Sequence, residues 1–394
     1  MEGFPMNKIL IPIVLLAAAV AFGDAPQTSL AEREIAPGKR ISADGKTVWW
    51  DAKKFLKLEG QAWNDVRRAY DRLPQAIEKQ LGAENPGLVS KVFHTSGECF
   101  RFTTTARNFK FRWSLVSPNL ALGHMPATGV SGIDMYVFKQ DAGIWIQRAV
   151  GVPKSQDGNI VNGFCFPGVP ILVYLPLYNG VKTLEIGVGP DDEIKPFDKP
   201  RSSGIEKPVV FYGTSITQGG VASRPGMSFA AIVTRWLDVP LVNLGFSGSG
   251  KMEMVMCDYL SEIDASCYVL DCVWNMNPQM IKDRFLPFVR ELKKRRPNVP
   301  IVLAEDSQVH IPGGRSSKGE MVKAIFDNLK SEDSVLWENL YLVPNAMQYC
   351  ADHEGTVDGA HPNDWGMMHL ARGFTPVVAQ ALKIKWDGAP SSWK

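Results

Sequence analysis

The stretch 209–220 places a serine where it could act as a nucleophile. Four apolar residues, 209–212, precede Gly213-Thr214-Ser215, and a glycine pair and a helical pattern follow. This order predicts a strand, a tight turn and a helix, with Ser215 on the turn. Ligands of open α/β sheets bind at the carboxyl ends of strands, so a substrate could reach the Ser215 hydroxyl there. A serine at such a turn also commonly serves as a helix N-cap, and the turn alone does not separate the two roles.

A carboxylate and a histidine with suitable spacing lie near the other end of the chain. Asp358 and His361 are three residues apart, and Pro362 and a helical pattern follow them. On a turn, this spacing lets the carboxylate accept a hydrogen bond from one imidazole nitrogen while the other nitrogen faces a serine. A single Asp-x-x-His is common by chance, so the pair has meaning only together with Ser215.

Two further positions could stabilise negative charge that develops on a substrate. Gly248 follows a strand predicted at 241–244, and glycine allows a backbone N–H to approach an anion closely. Asn275 follows a strand predicted at 267–273, where its amide can donate to a substrate. Taken alone, the first pattern fits an ordinary turn and the second a helix cap. The joint occurrence, in order and after successive strands, favours one functional site.

The elements that must position these residues alternate between strand and helix from residue 209 onward. The predicted strands are 209–212, 241–244, 267–273, 301–304 and 341–343. The predicted helices are 228–237, 251–260, 278–295, 319–329 and 364–382. The strand segments are continuously apolar, as expected when helices cover both faces of a parallel sheet. The segment 208–394 is therefore predicted to be a three-layer α/β domain with about five parallel strands.

The preceding part of the chain has a different pattern. Short segments such as 100–104 and 109–113 alternate apolar and polar residues, which is typical of half-buried strands. Several such segments separated by Gly and Pro turns predict a β-sandwich, or jelly-roll-like, domain over 45–198. A short helix is predicted at 63–70, and the segment 191–208, rich in Pro, Lys, Asp and Ser, is predicted to be the domain boundary.

The N-terminus resembles an export signal. Lys8 precedes the apolar run 9–22, which contains several small residues, so we predict a signal peptide at 1–23 and a linker at 24–44. The run has 14 residues, fewer than the roughly 20 that span a bilayer. An uncleaved anchor is the alternative. The prediction is a secreted or periplasmic protein with no stable membrane insertion after the leader is cleaved.

Composition limits the classes of partner. The chain is 45% hydrophobic and 21% charged, and its net charge of +2 gives no basis for nucleic-acid binding. The six cysteines include no C-x-x-C pair and are predicted to be mostly buried thiols. No metal site or cofactor is predicted, since the remaining histidines show no metal-binding spacing: His94, His124, His310, His353 and His369.

From residue 209 onward the chain resembles the SGNH hydrolase superfamily, also called GDSL esterases and lipases. The four residues that mark this superfamily correspond to Ser215, Gly248, Asn275 and His361, and Asp358 completes the triad. The resemblance implies a flavodoxin-like three-layer fold. It also implies acyl transfer, with His361 as the base for Ser215, and an oxyanion hole formed by the backbone N–H groups of Ser215 and Gly248 and the side chain of Asn275.

A second resemblance covers the first domain. Residues 131–136 are similar to the Gly-x-Asp-Leu-Tyr signature of a β-rich domain that precedes one branch of these hydrolases. Segments 71–74 and 175–179 resemble the same branch. The chain departs from the superfamily pattern at two places, with Gly213-Thr214-Ser215 instead of Gly-Asp-Ser and 273–276 instead of Gly-x-Asn-Asp. An α/β-hydrolase would instead need Gly-x-Ser-x-Gly, which fails at Thr217.

Three hypotheses about the substrate follow. Export, the β-rich domain and the family branch favour an esterase that removes O-acetyl groups from a polysaccharide or oligosaccharide. A lipid or thioester acylhydrolase is the second hypothesis, and a non-catalytic glycan-binding protein is the third. Trp274 and Trp365 flank the predicted site and could line a sugar or acyl pocket, although core packing explains them equally well.

Overall fold

The structure, a computed structural model, describes residues 31–82, 84–307, 315–348 and 350–388. Two antiparallel sheets form a β-sandwich, and a five-stranded parallel sheet with helices on both faces follows it, which confirms the predicted fold class. The predicted signal peptide at 1–23 lies outside the described residues. Among the helices of the described part, none is long and apolar enough to cross a membrane.

The β-sandwich has two sheets that enclose a hydrophobic core. Its strands are β1 Arg33–Ala36, β2 Lys39–Ile41, β3 Val48–Asp51, β4 Leu58–Glu59, β5 Cys99–Thr104, β6 Asn108–Leu115, β7 Asp134–Lys139, β8 Ile144–Val150, β9 Asn159–Phe164, β10 Ile171–Tyr174, β11 Val181–Val188 and β12 Ile194–Pro196. The sheet orders are β1-β2-β3-β11-β6-β9 and β12-β5-β10-β7-β8, and β4 pairs with β5. In β6 the alternation directs Phe109, Phe111 and Trp113 into the core, as the sequence pattern predicted.

The prediction of a linker at 24–44 is wrong for its described C-terminal part. Strands β1 and β2 form a hairpin that extends the first sheet through β3. An edge hairpin needs no apolar face, and here ion pairs attach it to the sheet. Arg112 pairs with Glu32 at 2.6 Å and with Glu185 at 2.8 Å, and Arg40 also binds Glu185.

The helix predicted at 63–70 is also wrong, because this segment is irregular, with bends and a turn at 69–70. The Asp65 carbonyl, which would accept from Ala69 N in a helix, instead accepts from Gln75 N at 3.0 Å, and the Gln61 amide donates to Ala69 O at 3.0 Å. Short helices elsewhere in this domain are α1 Ala52–Phe55, α2 Ile77–Leu81, α3 Pro86–Val89 and α4 Ala127–Val130.

The second domain contains a fully parallel sheet in the order β14-β13-β15-β16-β17. Its strands are β13 Val209–Gly213, β14 Leu241–Gly245, β15 Cys267–Asp271, β16 Ile301–Ala304 and β17 Leu340–Val343. This is the flavodoxin-like strand order. Every residue of β13, β14, β15 and β16 is buried, since helices cover both faces, and this explains the continuous apolar runs in the sequence.

The helices of this domain lie close to the predicted positions. They are α5 Ser215–Gln218, α6 Phe229–Leu237, α7 Met254–Glu262, α8 Pro278–Met280, α9 Leu286–Arg295, α10 Ser317–Glu332 and α11 Asp364–Ala381. A π-helical segment, Ile281–Phe285, joins α8 to α9, so the predicted helix 278–295 is continuous. The six cysteines are all buried thiols.

Candidate active site

Ser215 is the first residue of α5, directly after β13. Thr214 is the N-cap of this helix: its hydroxyl accepts from Ile216 N at 3.2 Å, and Thr217 completes a capping box. The cap position is therefore taken by Thr214, and the Ser215 hydroxyl is directed to another part of the chain. Gly213 is needed before the turn, because a Cβ there would lie 2.0 Å from the Thr217 hydroxyl.

Ser215, His361 and Asp358 form a continuous chain of hydrogen bonds. The Ser215 Oγ lies 2.9 Å from His361 Nε2, and His361 Nδ1 lies 2.7 Å from Asp358 Oδ2. The second carboxylate oxygen accepts from the backbone N–H of Ala360 at 3.0 Å and of His361 at 2.7 Å. With Asp358 as acceptor, Nδ1 carries the imidazole proton, and Nε2 is free to accept a proton from the serine.

The ionisation of Asp358 follows from these contacts. Partial burial acts to raise its pKa, but the hydrogen bonds from His361 and Ala360 outweigh burial and lower the pKa to about 2. A negatively charged Asp358 at neutral pH is the state that stabilises an imidazolium on His361.

Gly248 and Asn275 lie beyond the ends of the two strands that flank β13. Gly213 pairs with Gly245 of β14 and with Asp271 of β15, so the three strands end at the same level. Because Ser215, Gly248 and Asn275 each follow these ends within a few residues, the fold brings them to one edge of the sheet.

The two predicted oxyanion positions differ in their surroundings. Gly248 has a φ of +68°, and a Cβ placed there would meet no atom of a non-neighbouring residue within 4 Å, so the space on that side of the residue is open. Asn275 donates one amide hydrogen to Ser249 O at 2.7 Å. This bond orients the amide and uses one of its two hydrogens.

The two predicted substrate tryptophans differ in exposure. Trp274 is half-buried against the domain core, and Lys318 Nζ lies 5.6 Å from its ring and donates to its carbonyl at 3.1 Å. Trp365 is 43% exposed near the start of α11, and its indole N–H donates to Asp352 Oδ2 at 2.6 Å. Packing therefore accounts for Trp274, whereas Trp365 presents its ring to solvent close in sequence to His361.

Sequence reasoning missed the contribution of the first domain to the site. The buried Arg72 crosses the domain interface and donates to Asn243 O and Gly245 O, both at 2.9 Å, at the end of β14. Its guanidinium also lies 4.4 Å from the ring centroid of Phe246. Arg72 thus holds the strand end from which the Gly248 loop departs. The segment 71–74 that resembled the family branch was the signal for this role.

A second link from the first domain passes through Gln218, the last residue of α5. Gln218 Nε2 lies 2.8 Å from the buried His94 Nδ1 and donates to Leu177 O at 2.8 Å. Its Oε1 accepts from Ser247 N at 2.8 Å. The Tyr178 hydroxyl donates to Ser215 O at 3.2 Å. The first domain therefore contacts the nucleophile helix, and Gln218 of that helix in turn contacts the loop before Gly248.

The Gly-x-Asp signature provides a third link. Asp134, fully buried, accepts from Arg224 Nη1 at 2.7 Å and from Gly226 N at 2.9 Å. Burial raises the pKa of Asp134, although Arg224 opposes that rise. In the same loop, Ser223 N donates to Asp364 Oδ1 at 2.8 Å, and Asp364 is the first residue of α11, which follows His361. The signature therefore supports the loop that contacts the histidine-bearing segment.

A histidine from the first domain lies beside the triad. The rings of His124 and His361 are 5.8 Å apart between centroids, and ligand atoms of His124, Asp358 and His361 all lie within 4.8 Å of one another. Spacing along the chain predicted no metal-binding group, because His124 is far from Asp358 and His361 in sequence. The prediction overlooked a cluster that only the folded chain assembles.

The geometry defines a class of protein. A parallel α/β sheet that carries a hydrogen-bonded Ser-His-Asp chain at its carboxyl edge, near candidate oxyanion donors, has the arrangement of a serine hydrolase.

Comparison with known proteins gives the family. Residues 206–379 match the GDSL-like lipase/acylhydrolase family, and residues 47–194 match the GxDLY model, described as the N-terminus of SGNH-hydrolase-type esterases. A protein of Bacteroides ovatus assigned as a GDSL-like lipase is 31% identical, with a TM-score of 0.70 over 86% of this chain and 99% of that one. The chain belongs to the GDSL-like lipase/acylhydrolase family and carries the GxDLY type of N-terminal domain.

More distant structures share the fold. A salicylyl-acyltransferase from a tetracycline biosynthetic pathway is 16% identical, with a TM-score of 0.63 over 88% of this chain and 98% of that one. A family two carbohydrate esterase from Cellvibrio japonicus is 13% identical, with a TM-score of 0.54 over 86% of this chain and 98% of that one. A comparison with curated proteins finds no match.

Proposed function

We propose that the protein is an exported serine esterase that removes O-acetyl groups from a polysaccharide or oligosaccharide. The observation that carries the proposal is the hydrogen-bonded chain from Ser215 Oγ through the His361 imidazole to Asp358, with distances of 2.9 and 2.7 Å. Membership of an acylhydrolase family supports the same chemistry.

In the proposed mechanism, Ser215 attacks the ester carbonyl while His361 Nε2 takes the hydroxyl proton. A serine hydroxyl is a weak nucleophile until a base accepts its proton, and Asp358 stabilises the resulting imidazolium. The backbone N–H groups of Ser215 and Gly248 and the Asn275 amide then stabilise the oxyanion. Loss of one such donor typically costs about 2.7–4 kcal/mol of transition-state stabilisation. His361 returns the proton to the leaving alcohol, and water hydrolyses the acyl-enzyme.

Two features support a carbohydrate ester as the substrate. The exposed indole of Trp365 combines an apolar face with a polar edge and lies four residues after His361. The leader predicted at 1–23 would place the enzyme outside the cytoplasm, where glycans are available. The shared fold with a carbohydrate esterase is compatible with this assignment.

A lipid or thioester acylhydrolase is the second candidate, because exposed apolar side chains also lie next to the triad. Leu122, two residues before His124, is 40% exposed, and Val357, adjacent to Asp358, is 50% exposed. Such a surface could receive a longer acyl chain. Non-catalytic glycan binding is less compatible, because such a protein has no need for the Ser-His-Asp chain.

The test is acetate release from a panel of acetylated glycans, compared with a chain-length series of 4-nitrophenyl esters. Ser215→Ala should lower kcat by a factor on the order of 10⁶. Ser331→Ala, an exposed serine on α10, is the matched control and should retain activity. Full activity of Ser215→Ala would refute the mechanism. A preference for long acyl chains would favour the second candidate, and glycan binding with no release from any ester would favour the non-catalytic role.

A further inference from the structure

His124 is presented at the tip of a short, well-anchored turn. Leu122 N donates to Met125 O at 3.0 Å, and Met125 N donates to Leu122 O at 3.1 Å, so Gly123 and His124 form the tip. Met125 is buried in the core shared with the hydrolase domain, whereas His124 is exposed. The backbone of the turn is fixed, and the imidazole remains accessible.

The turn is attached to the hydrolase domain just after the nucleophile helix. The Thr128 hydroxyl of α4 donates to Ser223 O at 2.6 Å. Gly129 approaches so closely that a Cβ would lie 2.2 Å from Ala222 O. These contacts, made by the first helix after the turn, set the position of His124 relative to the triad. The proximity of His124 to His361 is therefore a built feature of the domain interface.

The donor set at this place suits a particular class of metal ion. Two imidazoles and one carboxylate, His124, His361 and Asp358, are ligands that bind Zn²⁺ and related transition-metal ions, whereas Mg²⁺ and Ca²⁺ prefer oxygen. Tetrahedral zinc with bonds of about 2.0–2.1 Å needs ligand atoms about 3.4 Å apart. Here the ligand atoms lie within 4.8 Å of one another, and rotation of the exposed His124 side chain can bring its nitrogen closer. Asp358 Oδ2 and His361 Nδ1, which are 2.7 Å apart, must separate by less than about 1 Å to bind the same ion.

We propose that His124, Asp358 and His361 bind a divalent transition-metal ion of the zinc class, and that the bound ion reversibly inhibits the enzyme. Both ring nitrogens of His361 already serve the triad, Nε2 toward Ser215 and Nδ1 toward Asp358. An ion shared with Asp358 coordinates Nδ1, because Nε2 points away from that carboxylate. The imidazole proton then moves to Nε2, which can no longer accept the proton of Ser215. The ion therefore removes the base that Ser215 needs. Inhibition rests on the proposed function, but binding does not.

Binding is tested by calorimetric titration of ZnCl₂ into the full chain after treatment with a chelator. Wild type should bind one ion at this site, and His124→Ala should bind it at least tenfold more weakly. His353→Asn is the control, since His353 is exposed, lies outside the cluster and has a positive φ that asparagine tolerates. This variant should bind zinc like wild type. Equal affinity of wild type and His124→Ala would overturn the site.

Inhibition is tested on 4-nitrophenyl acetate, with each variant referred to its own rate without metal. Zinc should suppress the wild-type rate and EDTA should restore it, MgCl₂ should have no effect, and His124→Ala should need at least tenfold more zinc. Inhibition that is equal with magnesium, or unchanged in His124→Ala, would contradict the proposal. Absence of all esterase activity would refute the proposed function, while the calorimetric result would still decide the metal site.

Discussion

Asp358 shows how a single residue can set the chemistry of the site through its two oxygens. One oxygen holds the imidazole, and the other accepts two backbone N–H groups from its own turn. The turn therefore fixes the carboxylate, and the carboxylate fixes the ring. Because its pKa is lower in the folded chain, about 2 compared with 3.8, the charged form stabilises the fold. That contribution is present above pH 3.8 and is lost as the pH falls toward 2.

The Asp358→Asn variant should fold but lose most of its activity. An asparagine can still accept the two backbone bonds, yet its amide presents hydrogens to Nδ1 and so favours the tautomer that carries its proton on Nε2. That nitrogen cannot then accept the proton of Ser215, and kcat should fall by about 10⁴-fold. Steady-state kinetics on 4-nitrophenyl acetate measures the change. Asp141→Asn, whose native side chain is 75% exposed, is the control, and a similar loss of activity there would contradict this explanation.

The triad residues were predictable because each carries a local signal. Ser215 follows a strand and a glycine, and Asp358 and His361 share one turn, so short segments of sequence contain the pattern. The sequence could not show that Thr214, and not Ser215, caps α5, because both are good capping residues. Nor could it show that His124 approaches His361, because no local pattern connects two distant loops.

At the level of elements, α5 is hydrogen-bonded to a buried carboxyl group, Asp271 of the neighbouring strand β15. Thr217 of the capping box donates to Asp271 Oδ2 at 2.8 Å, and Ser307 donates to the other oxygen at 2.9 Å. Burial raises the pKa of Asp271 to about 7, against the opposing effect of these two hydroxyls. The nucleophile helix is thus attached to β15 through a group whose charge changes near neutral pH.

Asp271→Asn should change how the stability of the protein depends on pH. The pKa of Asp271 is raised in the folded state, so its protonated form favours folding, and that advantage is lost as the pH rises from 3.8 through about 7. Asparagine does not ionise and acquires no charge over this range. Wild type should therefore lose stability relative to the variant between pH 4 and 8. Thermal unfolding at a series of pH values measures this, and a constant difference between the two proteins would contradict the assignment.

The elements could be predicted where burial imposes a pattern. The strands of the parallel sheet are covered on both faces, and their continuous apolar runs marked them correctly. Backbone pairing and ion pairs hold the hairpin β1–β2, so it needs no apolar face. Its sequence therefore has no strand pattern and favours the prediction of a linker. The segment 63–70 has helical composition, but the Asp65 carbonyl, which would accept from Ala69 N in a helix, accepts from Gln75 N at 3.0 Å.

Across the whole molecule, the first domain serves as structural support for the active site. Its three family-like segments each place a residue at the interface: Arg72 at the end of β14, Tyr178 at the Ser215 carbonyl and Asp134 at the loop that contacts α11. In the sequence, only their resemblance to the family branch distinguished these three segments. Their roles could not be derived from it, because Arg72 and Asp134 have their main partners in the other domain.

Arg72→Leu should therefore reduce catalysis although Arg72 contacts none of the triad side chains. The change leaves the Asn243 and Gly245 carbonyls without their buried donor, at a cost of about 1–3 kcal/mol for each group. The strand end should shift, and a displacement of Gly248 by about 1 Å can lower the rate by about 10²-fold. We expect kcat to fall by 10- to 100-fold, on the basis of that estimate, with KM changing much less.

Two further variants separate this role from general destabilisation. Arg72→Lys keeps a donor that can reach one carbonyl, so it should recover part of the lost kcat. Arg67→Leu removes a neighbouring arginine whose side chain is 56% exposed, and it should leave kcat unchanged. Kinetics are measured well below the melting temperature of each variant, so that every protein is folded during the assay. A folded Arg72→Leu variant with wild-type kcat would show that the first domain does not position the Gly248 loop, and that the Arg72 contact contributes to stability alone.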